Sequence, residues 1–175
     1  MNIADHAIAA AQSPALVTDG GTISFGELYA RSRRVAAVLH EAGLRRGDGV
    51  ALVLPNRPEF FEITWGAQLS GLYYTAVNTH FLPEEVSYVI DDSDAKAVFV
   101  DASMPGLAAH IRDANAGVVT HVALGDFMAG WQSYEHALAA AGAPPPPLSI
   151  HLRGQGSIPR PALAALGRPG ENSGL

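Results

Sequence analysis

The chain of 175 residues contains no cysteine. Disulfides, thiolate catalysis and cysteine-ligated metal sites are therefore excluded. It also lacks an uninterrupted apolar run of about 20 residues, the length that a membrane-spanning helix needs. The first residues include Asp5 and have neither a basic start nor a long apolar stretch, so they do not resemble a signal peptide. We expect a cytoplasmic protein with no integral membrane segment.

Positive charge is also scarce, with 11 Lys and Arg against 17 Asp and Glu, for a net charge of −6. This balance argues against a general affinity for nucleic acid or anionic membranes, and we expect no nucleic-acid partner. Lys96 is the only lysine of the chain.

Familiar catalytic motifs are missing as well. The sequence has no G-x-S-x-G elbow and no P-loop, and Gly154-Gln155-Gly156 begins a G-x-G pattern that no glycine completes three residues later. The seven histidines include no pair at metal-ligand spacing on a helix. The sequence therefore assigns no catalytic, cofactor-binding or metal-ligating residue.

The composition of what is present changes along the chain. Overall, 48% of the residues are hydrophobic and 16% are charged, which is typical of a globular protein. Residues 1–147 hold 16 acids and 8 bases (net −8), whereas residues 148–175 hold one acid and three arginines (net +2). Seven of the twelve prolines fall in the last 32 residues. We predict a globular unit over residues 1–143 and a poorly ordered Pro/Gly/Arg-rich tail over residues 144–175.

The fold is organised around residues 49–78. The apolar run at 49–54 predicts a strand buried on both faces, and Pro58 marks the start of a helix that ends near Gly71. The β-prone run at 73–77 then restarts an extended segment. Two strands joined by a helix form a βαβ unit, which implies a parallel sheet with a right-handed crossover.

The flanking segments extend this pattern. Strands begin near residues 50, 73, 97 and 118, at spacings of 21 to 24 residues. Two β-prone runs on either side of Gly20-Gly21 predict a hairpin. Helices are predicted over residues 2–11, from Phe25 to Gly43, from Pro83, over 104–115 and over 131–141. The predicted class is α/β, an open and mostly parallel sheet flanked by helices.

Several polar groups invite a functional interpretation, but a structural one is favoured. His80 follows the end of a strand, where open α/β sheets place ligands, yet a loop-capping or partly buried histidine is the preferred interpretation. Glu84-Glu85 suits a helix amino terminus, and the acids at 91–94 suit a helix-to-strand turn.

Two further groups are interpreted in the same way. Arg31, Arg33 and Arg34 are interpreted as the solvated face of a helix. The aromatic residues of the central unit are interpreted as core, with the reservation that some of them leave an exposed apolar patch in a chain that is not a whole domain. These are Phe60, Phe61, Trp65, Tyr73 and Tyr74.

Six short stretches together resemble a known family. In order, they are Pro14-Ala15-Leu16-Val17, Ile23-Ser24-Phe25-Gly26-Glu27-Leu28, Gly43-Leu44-Arg45-Arg46-Gly47-Asp48, Val50-Ala51-Leu52-Val53-Leu54-Pro55-Asn56, Gly71-Leu72-Tyr73-Tyr74 and Asn78-Thr79-His80. They resemble the N-terminal portion of the acyl-CoA synthetases of the adenylate-forming superfamily. The last two stretches are most similar to bacterial fatty-acid and sterol-type CoA ligases. The resemblance covers roughly residues 1–140.

This resemblance implies a ligase that acts on a fatty or other lipophilic carboxylic acid. Enzymes of the family activate a carboxylate with Mg-ATP to an acyl-adenylate and then transfer the acyl group to coenzyme A. The complete enzymes would therefore use ATP, magnesium and coenzyme A.

The sequence departs from the family where the chemistry should lie. The resemblance implies a Ser/Thr/Gly-rich phosphate loop ending in Pro-Lys-Gly just after residue 150, but only a faint similarity occurs, at 167–170, without the lysine. Lys96 lies at a strand start and cannot replace it. No family site residue is carried over, so we predict that this chain is truncated, inactive alone and without a cofactor of its own.

A frameshift near residue 144 would explain the composition of the tail. Two alternatives remain open for the function of the chain. One is a non-catalytic module that interacts with a ligase or dimerises through exposed apolar surface. The other is an unrelated small α/β ligand-binding domain.

Overall fold

The computed structural model describes residues 3–144 and contains two sheets. The first is an antiparallel hairpin of β1 (Pro14–Thr18) and β2 (Gly21–Ser24). The second has five strands: β3 (Gly49–Val53), β4 (Tyr73–Ala76), β5 (Ala95–Asp101), β6 (Thr120–Leu124) and β7 (Gln132–Ser133). Its order is β4-β3-β5-β6-β7, and every pairing in it is parallel. The predicted α/β class is confirmed. Apart from Pro144, the predicted tail lies outside the described residues.

Six helices accompany these strands in the described part of the chain. They are α1 (Ile3–Ala9), α2 (Phe25–Glu41), α3 (Glu59–Leu69), α4 (Pro83–Asp92), α5 (Pro105–Ala114) and α6 (Tyr134–Ala140). None of these helices is long and apolar enough to cross a bilayer.

Two of the helices begin with the expected polar contacts. At α2, the Ser24 hydroxyl accepts a hydrogen bond from the Glu27 amide, and the Ser24 amide donates to the Glu27 carboxylate at 2.8 Å. At α4, the Leu82 amide donates to Glu85 Oε2 at 2.8 Å. The interpretation of Glu85 as part of a helix start is therefore confirmed.

The predicted helix over 131–141 was wrong at its start. Gln132 and Ser133 form the short strand β7, which pairs with Val122 and Ala123 of β6, and the helix begins only at Tyr134. Trp131 is buried against His121, with their ring centroids 5.0 Å apart. A strand of two residues is too short to produce a recognisable alternation in the sequence.

Helices cover both faces of the large sheet. Val50 and Leu52 of β3 face the cluster formed with α2, α3 and α6, and Ala51 and Val53 face the cluster formed with α4 and α5. All five residues of β3 are buried, which confirms the prediction of a strand covered on both sides. This three-layer packing fixes the positions of the loops at both ends of the strands.

Helices α2 and α3 approach each other closely at Gly66. A Cβ atom at this position would lie 2.7 Å from the Cβ of Val35 and 2.8 Å from the carbonyl oxygen of Ser32. Only glycine fits at this distance without displacing α2.

The prediction that the central aromatic residues form core was wrong for three of them. Tyr73 is 73% exposed, Tyr74 41% and Phe61 42%, whereas Phe60 and Trp65 are partly buried. The tyrosines are exposed because β4 is an edge strand of the sheet, with β3 as its neighbour on one side and no strand on the other.

Candidate functional site

The topology creates a crevice between the carboxyl ends of β3 and β5. From β3 the chain runs through α3 to β4 on one side, and from β5 it runs through α5 to β6 on the other. Open α/β sheets bind their ligands where the connections diverge in this way. The loops at 54–58 and 102–104 border the crevice, which makes it the candidate site.

An ion network closes this crevice. Arg57 Nη1 lies 2.5 Å from Asp101 Oδ2, while Arg57 Nε and Nη2 each donate to the carboxylate of Glu59 at 2.9 Å. Asp101 Oδ1 also accepts a hydrogen bond from the Ser103 amide at 2.9 Å. Each nitrogen of the guanidinium group is therefore engaged by a carboxylate of the chain itself.

The charges of the crevice stabilise one another. The hydrogen bond from Arg57 lowers the pKa of Glu59 in spite of its partial burial. Burial raises the pKa of Asp101, but hydrogen bonds from Ser103 and Arg57 outweigh it, and the net shift is downward. Both carboxylates are thus held in their charged form, which suits a structural tie between two loops better than proton transfer at neutral pH.

A cavity of about 450 Å³ lies beside the crevice. It is bounded by the hairpin, the end of β3 and the start of α3, and its walls are mostly apolar. The lining residues are Leu16, Val17, Thr18, Leu54, Asn56, Arg57, Pro58, Phe60 and Phe61. The volume suits a small apolar group. The lining has no general base, and its one hydroxyl group, that of Thr18, donates to the Gly21 carbonyl at 3.0 Å.

His80 lies outside the crevice. It follows β4, and β3 separates that strand from β5. Its side chain is exposed, and its backbone amide donates to Asn78 Oδ1 at 3.0 Å. The sequence favoured a loop-capping or partly buried histidine, but the His80 ring is exposed and it is the Asn78 side chain that caps the loop.

Metal ligands and lysine do not converge at the crevice either. Within residues 3–144, no group of three or more His, Asp or Glu side chains is placed to hold a metal ion. Lys96 lies at the opposite, amino end of the sheet, where its Nζ is 2.8 Å from Asp48 Oδ1.

Sequence reasoning missed a second, buried ion network. Glu62 of α3 is 3% exposed and accepts hydrogen bonds from Arg31 Nε of α2 and from the Tyr134 hydroxyl of α6, both at 2.7 Å. Arg31 also donates to Glu135 at 2.6 Å. Burial and the charge of Glu62 raise the pKa of Tyr134, so its phenol stays protonated and keeps donating.

The interpretation of the three arginines of α2 as a solvated face was therefore wrong for two of them. Arg31 is half-buried in the network described above. Arg33 donates to the Tyr29 hydroxyl and to the carbonyl oxygen of Pro144, and only Arg34 is exposed. An amphipathic pattern places charges at the margin of a helix face but does not show which carboxylates reach them.

Comparison with known proteins identifies the class. The AMP-binding enzyme family matches residues 4–155, and the chain belongs to this family. Apart from Ile3, the match covers the hairpin, the parallel sheet and all six helices described above. The family resemblance is thus confirmed, and the alternative of an unrelated small α/β domain was wrong.

Individual relatives are ligases of acyl and aryl acids. The chain is 30% identical over 128 residues to a fatty acid–[acyl-carrier-protein] ligase of Streptomyces coeruleorubidus, covering 73% of this chain and 24% of that protein. It is 30% identical over 177 residues to a 3-hydroxybenzoate–CoA ligase of Aromatoleum sp. (strain CIB), covering 92% and 33%. The chain thus spans a third or less of the length of these curated relatives.

A shorter relative and two solved structures complete the comparison. An uncharacterized protein of Mycobacterium tuberculosis is 39% identical over 89 residues, which are 50% of this chain and 51% of that protein. The anthranilate CoA ligase AuaEII in complex with anthranoyl-AMP shares the fold, with a TM-score of 0.77, 21% identity, and 83% of this chain and 28% of that one covered. A Mycobacterium tuberculosis fatty acyl CoA synthetase has a TM-score of 0.70 and 27% identity, with 82% and 28% covered.

Proposed function

We propose that this chain carries the scaffold of an AMP-forming ligase for a fatty or other lipophilic carboxylic acid and does not itself form an acyl-adenylate. The substrate class is supported by the relatives, which include a fatty acid–[acyl-carrier-protein] ligase and long-chain-fatty-acid–CoA ligases. The matched region corresponds to a third or less of the length of these relatives, and the ATP, magnesium and coenzyme A sites of a complete family enzyme are not assigned to residues described here.

The main support for this proposal is that Arg57 and Lys96, in the described residues, are already paired with carboxylates of the chain. Adenylation requires that phosphate charge be stabilised by backbone amides, a cationic side chain and a metal ion. At the crevice, Arg57 is already neutralised by Glu59 and Asp101. Lys96 is paired at the other end of the sheet. The position expected for the phosphate loop lies outside the described residues.

ATP–pyrophosphate exchange with a panel of carboxylates tests this proposal directly. The panel should contain fatty acids of several lengths and aromatic acids such as 3-hydroxybenzoate. We expect no exchange above the background without enzyme, while a complete relative such as the Escherichia coli long-chain-fatty-acid–CoA ligase, assayed in parallel, should be active. Exchange catalysed by the purified chain with any of these acids would contradict the proposal.

We further propose that the reading frame departs from family sequence after the four prolines at 144–147. The change in composition there supports this. The family match extends eight residues further, to residue 155, so a departure from family sequence that begins before that residue must be gradual or short of complete there. Sequencing the DNA downstream of this point should reveal a Ser/Thr/Gly-rich loop in another frame. If no frame encodes such a loop, this part of the proposal is wrong.

A second candidate function is a non-catalytic interaction module. The exposed apolar side chains of β4 and α4 favour it, because large exposed apolar patches commonly mark interaction sites. A pull-down of a complete relative by the tagged chain would support docking on a ligase. Light scattering of the chain alone would show self-association instead.

A further inference from the structure

The apolar cavity beside the crevice has the size and lining of a small-molecule site. Its volume of about 450 Å³ lies within the range of about 300–1,000 Å³ that ligand pockets occupy. Two of its apolar side chains face water, since Val17 is 78% exposed and Phe61 is 42% exposed. The Phe60 and Phe61 rings meet edge to face, with their centroids 5.9 Å apart. A ligand placed here removes apolar surface from water, which favours binding.

The walls of this cavity come from two separate parts of the fold. Leu16 and Val17 belong to β1 of the hairpin, whereas Leu54 follows β3 and Phe60 lies in the first turn of α3. The hairpin forms its own two-stranded sheet and does not pair with the large one. A molecule in the cavity therefore contacts both parts and ties the hairpin to the large sheet.

The charges around the cavity select against an ionic ligand. Among the described residues that line it, Arg57 is the only charged one, and each nitrogen of its guanidinium group is engaged by Glu59 or Asp101. These three side chains together carry a net charge of −1, so an anion finds no free positive charge here. A cation in the cavity meets the guanidinium group first, because neither carboxylate lines the cavity. An uncharged ligand avoids both penalties.

The lining also contains a polar side chain that is available to a ligand. The Thr18 hydroxyl already donates to the Gly21 carbonyl at 3.0 Å. By contrast, the side-chain amide of Asn56 is exposed just after β3 and forms no hydrogen bond with other residues in the range 3–144. A carboxamide both donates and accepts hydrogen bonds. It therefore suits a ligand that carries one amide, carbonyl or hydroxyl group.

We propose that this cavity binds a small uncharged molecule with an aromatic body and one amide, carbonyl or hydroxyl group. The aromatic body lies between Val17 and the rings of Phe60 and Phe61, where edge-to-face contacts add to the burial of apolar surface. Its polar group forms a hydrogen bond with the side chain of Asn56. The relatives named above act on acids, so this site differs from the proposed ligase function in the charge of its ligand. The proposal does not depend on whether the chain forms an adenylate.

The first test compares three probes of nearly equal size and different charge, namely benzamide, benzoate and benzylamine at pH 7. Titration of the full chain, followed by the NMR signals of its methyl groups, locates the site and gives the dissociation constants. We expect benzamide to shift the methyl signals of Leu16, Val17 and Leu54, with a dissociation constant of roughly 1–10 mM. Both charged probes should bind about tenfold more weakly. The signals of Val119, which is 64% exposed at the opposite end of the sheet, should not move.

The second test changes the wall and the polar group. Val17→Asp places a carboxylate in the cavity and should weaken benzamide binding about five- to tenfold. Val119→Asp makes the same change at an exposed valine away from the cavity and should leave the dissociation constant unchanged. Asn56→Ala should weaken benzamide binding about fivefold through the lost hydrogen bond. Circular dichroism checks that each variant keeps the fold.

The third test changes the charge of the surroundings. Asp101→Asn leaves Arg57 with one carboxylate partner, so benzoate should bind about fivefold more tightly, while the affinity for benzamide should change less than twofold. Tighter binding of benzoate or benzylamine than of benzamide to the unmodified chain would overturn the proposal. So would benzamide shifts that leave the methyl signals of Val17 and Leu54 unmoved, equal losses for Val17→Asp and Val119→Asp, or an affinity for benzoate that Asp101→Asn does not raise. Exchange activity with carboxylates would contradict the proposed function alone and would leave this test unaffected.

Discussion

Two arginine networks in this protein have the same chemistry but different surroundings. In each, one guanidinium group lies between two carboxylates: Arg31 between Glu62 and Glu135, and Arg57 between Glu59 and Asp101. Glu62 is 3% exposed and ties three helices together, while its partner Arg31 and the outer carboxylate Glu135 are 35% and 63% exposed. The three side chains of the Arg57 network are 14% to 23% exposed and tie the start of α3 to the end of β5. We call them the helix network and the crevice network.

The full burial of Glu62, which no carboxylate of the crevice network shares, determines what each network contributes. Removing one partner of a buried pair leaves an uncompensated charge away from water, which is costly, whereas water compensates the loss of a partly exposed pair. The helix network should therefore support the stability of the scaffold. The crevice network can be altered at little cost, at the place where α/β sheets bind ligands.

The sharpest test of this comparison is Glu62→Ala. It leaves Arg31 and the Tyr134 hydroxyl without their buried acceptor, and we expect the free energy of unfolding to fall by about 3–4 kcal/mol. Glu135→Ala removes the other partner of Arg31, whose side chain is 63% exposed, and should cost about 0.5 kcal/mol. Urea unfolding followed by circular dichroism measures both values.

Glu62→Gln provides a check on the cause. It preserves the volume of the side chain and an acceptor for Tyr134 but removes the charge that Arg31 requires, so its effect should lie between those of the two alanine variants. If Glu62→Ala and Glu135→Ala lowered the free energy of unfolding by the same amount, the burial of Glu62 would not make it the more important partner of Arg31.

The close contact of α2 and α3 next to the helix network predicts the next largest effect. Gly66→Ala should lower the free energy of unfolding by about 1–2 kcal/mol, because the new methyl group must displace Val35 or the backbone at Ser32. Gly106→Ala is a matched control in α5, since a Cβ there meets nothing within 4 Å and should stabilise the protein by about 0.5 kcal/mol. Thermal unfolding of both variants measures these two changes in stability. If Gly66→Ala stabilised the protein, α2 would be able to move away from α3 at little cost.

The individual helices and strands of this fold could be predicted from the sequence, but which of them lie beside each other could not. The capping box at Ser24 and the buried run at 49–54 depend on residues close in the chain, and both were confirmed. Nothing local shows that β4 lies at the end of the sheet, so Tyr73 was assigned to the core. Strand order is decided by crossovers that the local pattern does not encode.

The two networks illustrate the same limit for the site. The helical phase of α3 places Glu62 beside the buried Ile63 and Gly66, a signal that could have marked it as a buried carboxylate. Its partner Tyr134 is 72 residues away, and Asp101 is 44 residues from Arg57, so neither contact could be deduced from spacing. By contrast, the faint match to a phosphate loop could be judged from sequence, because that loop is a continuous motif.

Changing the crevice network should have the smallest effect on the free energy of unfolding. That effect should depend on pH. Because the folded protein holds the pKa of Asp101 below its ordinary value of 3.8, the carboxylate stabilises the fold above that pH, and this contribution is lost as the pH falls through the lowered pKa. Asp101→Asn should therefore cost about 0.5–1 kcal/mol near pH 7 and progressively less below about pH 4. Urea unfolding of both proteins at several pH values measures the difference, with Asp113→Asn as the control, since its 3.7 Å ion pair is largely exposed. If the cost of Asp101→Asn stayed constant down to about pH 3, packing of the loops rather than the charge of Asp101 would hold the crevice closed.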